Sequence, residues 1–189
     1  MPQAKVLTSK ELRRVLDTIA TRPHAARNRA ILLCTHWAGM RIGEVAMLRV
    51  GDVLGKDGTV RSELHLDAAR TKGRHGRKIY VSERLMKELT AYARQARFEG
   101  KADSPFFLTQ KRTSFSPNSL CQLVHLIYAR AGIEGATSHS GRRSLLTSLA
   151  SQGIGVRVLA AIAGHRDIRV TQAYIDVNDT MLHAALKLA

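Results

Sequence analysis

The sequence predicts a mainly α-helical chain with a small antiparallel β-sheet, an α+β fold, on three observations. Apolar residues recur at helical spacing behind capping residues on both sides of the middle. Between about Asp52 and Ser82 the pattern changes to short strands broken by glycine turns. Hydrophobic residues make up 44% of 189 positions, enough for a core in one domain spanning residues 1–189.

The elements follow in order. Thr8-Ser9-Lys10-Glu11 is a capping box, and Leu12, Val15, Leu16 and Ile19 follow at helical spacing until Thr21-Arg22-Pro23 breaks the run. A second helix runs from about His24 through Trp37 and ends at Gly39; Arg41 to Leu48 forms another turn or two. Lys56-Asp57-Gly58 is a hairpin signal, and Val60 to Leu66 alternates weakly. Thr71 to Lys78 is a two-glycine basic turn with Lys72 at its tip, leading into Ile79-Tyr80-Val81. Ser82 caps a helix with Leu85, Leu89, Tyr92 and Ala96 on one face; residues 100–105 form a loop. Phe106-Phe107-Leu108 reads as a short buried strand or turn. Ser116-Pro117 opens a helix that Gly132 stops, Ser138 or Ser140 opens one that Gly153 stops, and Val156 to Ala163 stops at Gly164. Ile168 to Ile175 carries Tyr174, a turn follows at residues 176–179, and Met181, Leu182, Ala185 and Leu186 line a final amphipathic helix.

Thirty Lys and Arg against 15 acids give a formal charge of +15, usually kept for a polyanion. The cations are interleaved with apolar residues, which favours a folded nucleic-acid-binding surface over a solvated charge run; a solubilising surface is the plainer alternative. Cys34 and Cys121 each sit among apolar residues without a CxxC partner and read as small core residues in a reducing compartment. No apolar run reaches transmembrane length, and the first residues do not resemble a signal peptide. A cytoplasmic, nucleoid-associated protein is expected.

Candidate chemistry concentrates in the last third. Gly164-His165 is followed by Tyr174, and His139-Ser140-Gly141-Arg142-Arg143 lies upstream. A tyrosine, two histidines and an arginine in one basic segment point to an anionic centre with a phenolic nucleophile. No carboxylate or cysteine cluster accompanies the histidines, so neither a metal nor another cofactor is expected. Arg41 sits at a helix junction that can host an anion. Singly, each also fits an ordinary role. Arg41 reads as a helix-end arginine, Lys72 as a solvated hairpin cation, and His139 as a helix-start residue. Arg142 could pair with a surface acid, His165 follows a helix cap, and Tyr174 reads as a half-buried aromatic.

Together they form a pattern. Gly39-Met40-Arg41-Ile42-Gly43-Glu44-Val45-Ala46-Met47-Leu48 fits G-x-R-x-x-E-x-x-x-L, His139-Ser140-Gly141-Arg142 fits H-x-x-R, and Gly164-His165 precedes Tyr174 at the family spacing. From about Leu7 to Leu188 the chain resembles the catalytic domain of the tyrosine recombinases, the phage-integrase family of site-specific DNA recombinases. The resemblance implies that fold and a set of roles. Tyr174 would attack the scissile phosphorus and form a 3′-phosphotyrosyl link. Arg41 and Arg142 would clamp the non-bridging oxygens. Lys72, with Lys78 as the alternative if the turn shifts register, would protonate the leaving 5′-oxygen. His139 would accept or share the tyrosine proton, and His165 would hydrogen-bond a phosphate oxygen. Glu44 would orient the first box, or is simply solvated. Arg74, Arg77, Lys78, Arg143 and Arg166 are expected to contact DNA.

Two positions depart from the usual pattern: Gly141, where an apolar residue such as leucine is common, and Arg143, where a second histidine is frequent. Most members carry an N-terminal DNA-clamping domain; only a few residues precede Thr8 here, so none is expected in this sequence, which reads either as an excised catalytic fragment or as a short member. Pro23-His24-Ala25-Ala26-Arg27-Asn28 is similar to the short fimbrial invertases. The expected partners are double-stranded DNA with inverted-repeat sites and further copies of the chain, as a tetramer on DNA, with the C-terminal helix docking on a neighbour or on its own core. The competing readings are a DNA-binding relative that no longer cuts and a type IB topoisomerase-like enzyme.

Overall fold

The computed structural model describes residues 3–67, 76–98 and 102–175. The turn at 176–179, the helix with Met181, Leu182, Ala185 and Leu186, the start of the loop at Gly100, and the hairpin tip with Lys72 and Arg74 lie outside the described residues. The architecture is mainly helical with a two-stranded antiparallel sheet, as predicted.

Helix α1 (Ser9–Ala20) starts where the capping box placed it. Thr8 Oγ1 accepts from the Glu11 amide, and the Glu11 carboxylate accepts from the Thr8 amide. The central helix is α2 (Ala25–Ala38), whose Ile31, Leu32, Leu33 and Cys34 are fully buried. It packs against α1, α5 (Glu83–Ala96) and α7 (Ser140–Ser151), so burial all round replaces an amphipathic stripe. Its polar residues are satisfied internally: Thr35 Oγ1 donates to the Leu32 carbonyl, and His36 Nε2 bonds the Tyr128 hydroxyl. Tyr128 lies on α6 (Pro117–Arg130), capped by Ser116 with proline in its first turn.

The middle is less sheet-like than predicted. Asp52 falls in a short helix, α4 (Val50–Val53), where its carboxylate accepts from the Arg49 amide. The Lys56-Asp57-Gly58 turn is closed by a single Leu54–Val60 bridge. Strands β1 (Glu63–Leu66) and β2 (Arg77–Tyr80) pair Glu63 with Tyr80 and Leu66 with Arg77. Leu64, Leu66 and Ile79 are buried while His65, Lys78 and Tyr80 are exposed, so β2 presents residues 77 and 79 inward and 78 and 80 outward. Phe106 and Phe107 are buried in a bend, with the Phe106 amide bonded to the Leu48 carbonyl.

A smaller cluster, Leu146, Ala150, Leu159 and Ala163, joins α7 to α8 (Val156–Ala163), and Tyr174 packs against it. Helix α9 (Ile168–Gln172) ends two residues before Tyr174, which sits in the turn beyond. Cys34 is buried as read; Cys121 is only partly buried, and its thiol donates to Ser138 Oγ. No helix among the described residues is long and apolar enough to cross a membrane.

Candidate active site

Three chain segments converge. Helix α2 ends at Gly39 in the left-handed conformation (φ 61°), which turns the chain into Arg41 ahead of α3 (Ile42–Ala46). Glu44 lies one turn into α3 and is 5% exposed. Its carboxylate accepts from the Arg41 amide (2.7 Å) and from Arg41 Nη1 (3.0 Å). These bonds fix the Arg41 guanidinium against its own helix, so Glu44 is not simply solvated.

Arg142 follows Gly141 at the start of α7, and Gly141 is why α7 comes so close to α2. A Cβ there would lie 2.1 Å from Thr35 Oγ1 and 2.7 Å from His36 Cδ2. A side chain as large as leucine at this place has no room against Thr35 and His36. Arg142 is 3% exposed, and its hydrogen bonds among the described residues go to the carbonyls of Gly39 (2.6 Å) and Ala163 (2.5 Å) and to His165 Nε2 (2.7 Å), none to a carboxylate. Desolvation, then repulsion from Arg41 and Arg77, pulls its pKa down to about 10, still charged at neutral pH.

The His165 tautomer follows from its partners. Guanidinium nitrogens only donate, so Nε2 accepts from Arg142, and the ring proton is on Nδ1, donating to Thr171 Oγ1 (2.9 Å). Desolvation, then the charges of Arg142, Arg41 and Arg77, lowers the imidazole to about 4, which keeps it neutral. The Tyr174 ring stacks on His165, centroids 5.8 Å apart at 22°. The candidate nucleophile is thereby held beside the arginine cluster.

The C-terminus of α8 completes the site. Its last carbonyls are left without intrahelical partners, and three arginines take them in sequence. Arg77 Nη1 donates to Ile162 (2.8 Å), Arg142 Nη2 to Ala163, and Arg41 Nη2 to Gly164 (3.3 Å). The helix end carries roughly half a negative charge. With Glu44 this leaves three guanidiniums incompletely balanced, an excess of positive charge suited to an anion.

The other candidates are placed as follows. His139 is exposed at the head of α7, with Nδ1 3.5 Å from Ser138 Oγ. Lys78 faces outward on β2 and pairs with Glu63 at 3.4 Å. Arg77, expected on the DNA-facing surface, is turned inward instead: its side chain is 12% exposed and Nη2 binds Glu44 at 2.9 Å. The signal was legible, because Ile79 and Val81 share its face of the strand. Arg143 is half-buried, with Nε unpartnered, and Arg166 is exposed. Among the described residues no group of three His, Cys, Asp or Glu could hold a metal.

These features agree with comparisons across known proteins. Transposase A from transposon Tn554 of Staphylococcus aureus is 30% identical over 185 residues, covering 94% of this chain and 50% of that protein. Tyrosine recombinase XerD of Neisseria meningitidis is 28% identical, covering 96% of this chain and 62% of its own length. The chain thus spans about half to two-thirds of the relatives it matches. The crystal structure of XerA recombinase superposes with a TM-score of 0.77 at 22% identity, over 98% of this chain and 66% of that one. XerH site-specific recombinase, bound to palindromic difH substrate in a post-cleavage complex, gives 0.74 at 21% identity, over 96% and 51%. The family model described as "Phage integrase family" matches residues 5–181, and with the catalytic-domain fold this establishes that the chain belongs to the phage integrases, the tyrosine recombinase family.

Proposed function

We propose that this chain is the strand-cleaving domain of a site-specific DNA recombinase. The observation that carries the reading is the unbalanced cluster of Arg41, Arg142 and His165 with Tyr174 stacked against it. The Tyr174 oxygen attacks the scissile phosphorus, forming the P–O(Tyr) bond and breaking P–O5′. His139 accepts the phenolic proton, and Lys72 supplies one to the departing 5′-oxygen. Arg41 and Arg142 hold the non-bridging oxygens. Losing one such donor commonly costs about a hundredfold to a thousandfold. The phosphotyrosyl bond conserves the energy of the phosphodiester, so rejoining to a new 5′-hydroxyl needs no nucleotide. XerH site-specific recombinase bound to a palindromic substrate supports inverted-repeat DNA as the partner class, and the working assembly in this reading is a tetramer on paired sites. The +15 charge makes binding steeply salt-dependent.

Covalent trapping on nicked suicide substrates, drawn from genomic DNA flanking the gene, tests the reading. The expected result is an adduct that survives denaturation and is absent in Tyr174→Phe. Specific binding without an adduct would support a DNA-binding relative that does not cut. Relaxation of site-free plasmid without exchange of partners would support the topoisomerase-like reading.

A further inference from the structure

Arg77 has no part in the scheme above, yet it is largely enclosed and reaches two parts of the site. Its Nη2 donates to Glu44 Oε2, the oxygen that also accepts the Arg41 amide. Its Nη1 donates to the Ile162 carbonyl, two residues before the Gly-His step. Between these anchors its side chain crosses Gly164. A Cβ on that glycine would stand 2.7 Å from Arg77 Cδ and 2.8 Å from Nη1. Gly164 therefore meets two demands at once, a left-handed cap (φ 61°) and a floor for the arginine. Its Nη2 is held by the buried Glu44 carboxylate, a charged partner that a phosphate would have to displace, whereas the partners of Arg142 are uncharged.

We infer that Arg77 is a positioning residue. It ties the hairpin strand to Glu44 and to the end of α8, and so fixes the distance between the Arg41 clamp and the segment bearing His165 and Tyr174. The inference rests on the recombinase reading for its activity assay. The mechanical link itself is a property of the free chain. Without Arg77, Glu44 loses a bond to its buried carboxylate and the Ile162 carbonyl loses its donor. Small displacements of this kind at a reacting centre cost about a hundredfold in rate.

The test compares the parent chain with Arg77→Met, Arg77→Lys, Glu44→Gln and the Arg77→Met/Glu44→Gln pair, each checked for folding by circular dichroism. On the trapped-adduct assay, Arg77→Met should slow adduct formation about a hundredfold. DNA affinity and its salt slope should hold, and Arg77→Lys, which keeps the charge but loses the fork, should recover part of the rate. In the Glu44→Gln background the same change should cost far less, because both act through one carboxylate. A salt slope reduced by about one would overturn the inference, since it marks a phosphate contact. Multiplicative effects in the pair would overturn it as well. If the parent forms no Tyr174-dependent adduct, the recombinase reading fails, and the link is then decided on free protein by NMR. Arg77→Met should shift the His165 and Thr171 signals and raise the His165 titration point. Unmoved signals would overturn the inference on their own. Should Arg77→Met fail to fold, Arg77→Lys carries the same comparisons with smaller expected effects.

Discussion

Gly141→Ala is a sharp perturbation, because one methyl group enters the tightest glycine site among the described residues. The new Cβ would lie 2.1 Å from Thr35 Oγ1, 2.7 Å from His36 Cδ2 and 2.9 Å from Thr35 Cβ. Rotating the hydroxyl away breaks its bond to the Leu32 carbonyl and still leaves Thr35 Cβ in place. Reaching ordinary contact from 2.9 Å requires α7 to retreat from α2 by about half an ångström. Thr35 and His36 are 1% and 4% exposed, so neither side has free volume to give. Overpacking of this kind costs about 1–3 kcal/mol. The 2.1 Å approach puts the cost at the upper end of that range, and alanine's better helix propensity returns up to about 1 kcal/mol, leaving a net loss of about 2 kcal/mol. Arg142 is the next residue, and its bonds to Gly39 and Ala163 move with the helix. Urea unfolding followed by Trp37, the single tryptophan, should show the midpoint lowered by about 0.5–1 M. Adding Thr35→Ala should recover part of the loss. A midpoint unchanged or raised by Gly141→Ala alone would refute the claim that this glycine sets the α2–α7 separation.

Three further outcomes are expected. His165 should titrate near 4 in the free chain, and inorganic phosphate held between Arg41 and Arg142 should raise that value by offsetting the surrounding positive charge; an NMR titration unmoved by phosphate would contradict it. Burial also holds His36 down to about 4. Between about 6.5 and 4 the unfolded chain takes up protons that these two folded-state imidazoles refuse, so stability should fall as pH falls through that window, as read by urea melts at stepped pH. Tyr128→Phe removes the partner of the buried His36 ring and should cost about 1–3 kcal/mol, while Thr8→Ala at the exposed cap of α1 should cost about 1 kcal/mol, both from the same melts.

The helical parts of the fold were legible where local chemistry marks an end. Thr8 with Glu11, and Ser116 with Pro117, are cap signals whose partners lie within one turn, so a linear reading catches them. Asp52 escaped because α4 is four residues long, too short for a period, and its carboxylate bonds a backbone amide that no pattern announces. Tyr174 was placed inside a helix that stops at Gln172; hydrophobic spacing alone does not mark that end. In the site, the residue types of Arg41, Glu44, Arg142, His165 and Tyr174 were readable, and the structure brings these five together. Their partners were not readable, since the Gly39, Ala163 and Gly164 carbonyls belong to segments far apart in sequence. Arg77 and Lys78 are adjacent cations, so charge could not say which faces inward; only the register with Ile79 and Val81 decides.

The arginine-capped end of α8 bears on how affinity for this pocket is to be understood. An arriving phosphate does not meet bare guanidinium groups. It meets groups, Arg142 and Arg41, whose N–H bonds are already committed to the Ala163 and Gly164 carbonyls. Binding is then an exchange reaction, in which each new contact is credited only by its margin over the peptide oxygen it displaces or shares. Small free anions should therefore bind weakly despite the local charge. An extended ligand that brings many phosphates at once can recover through number what each contact lacks in strength.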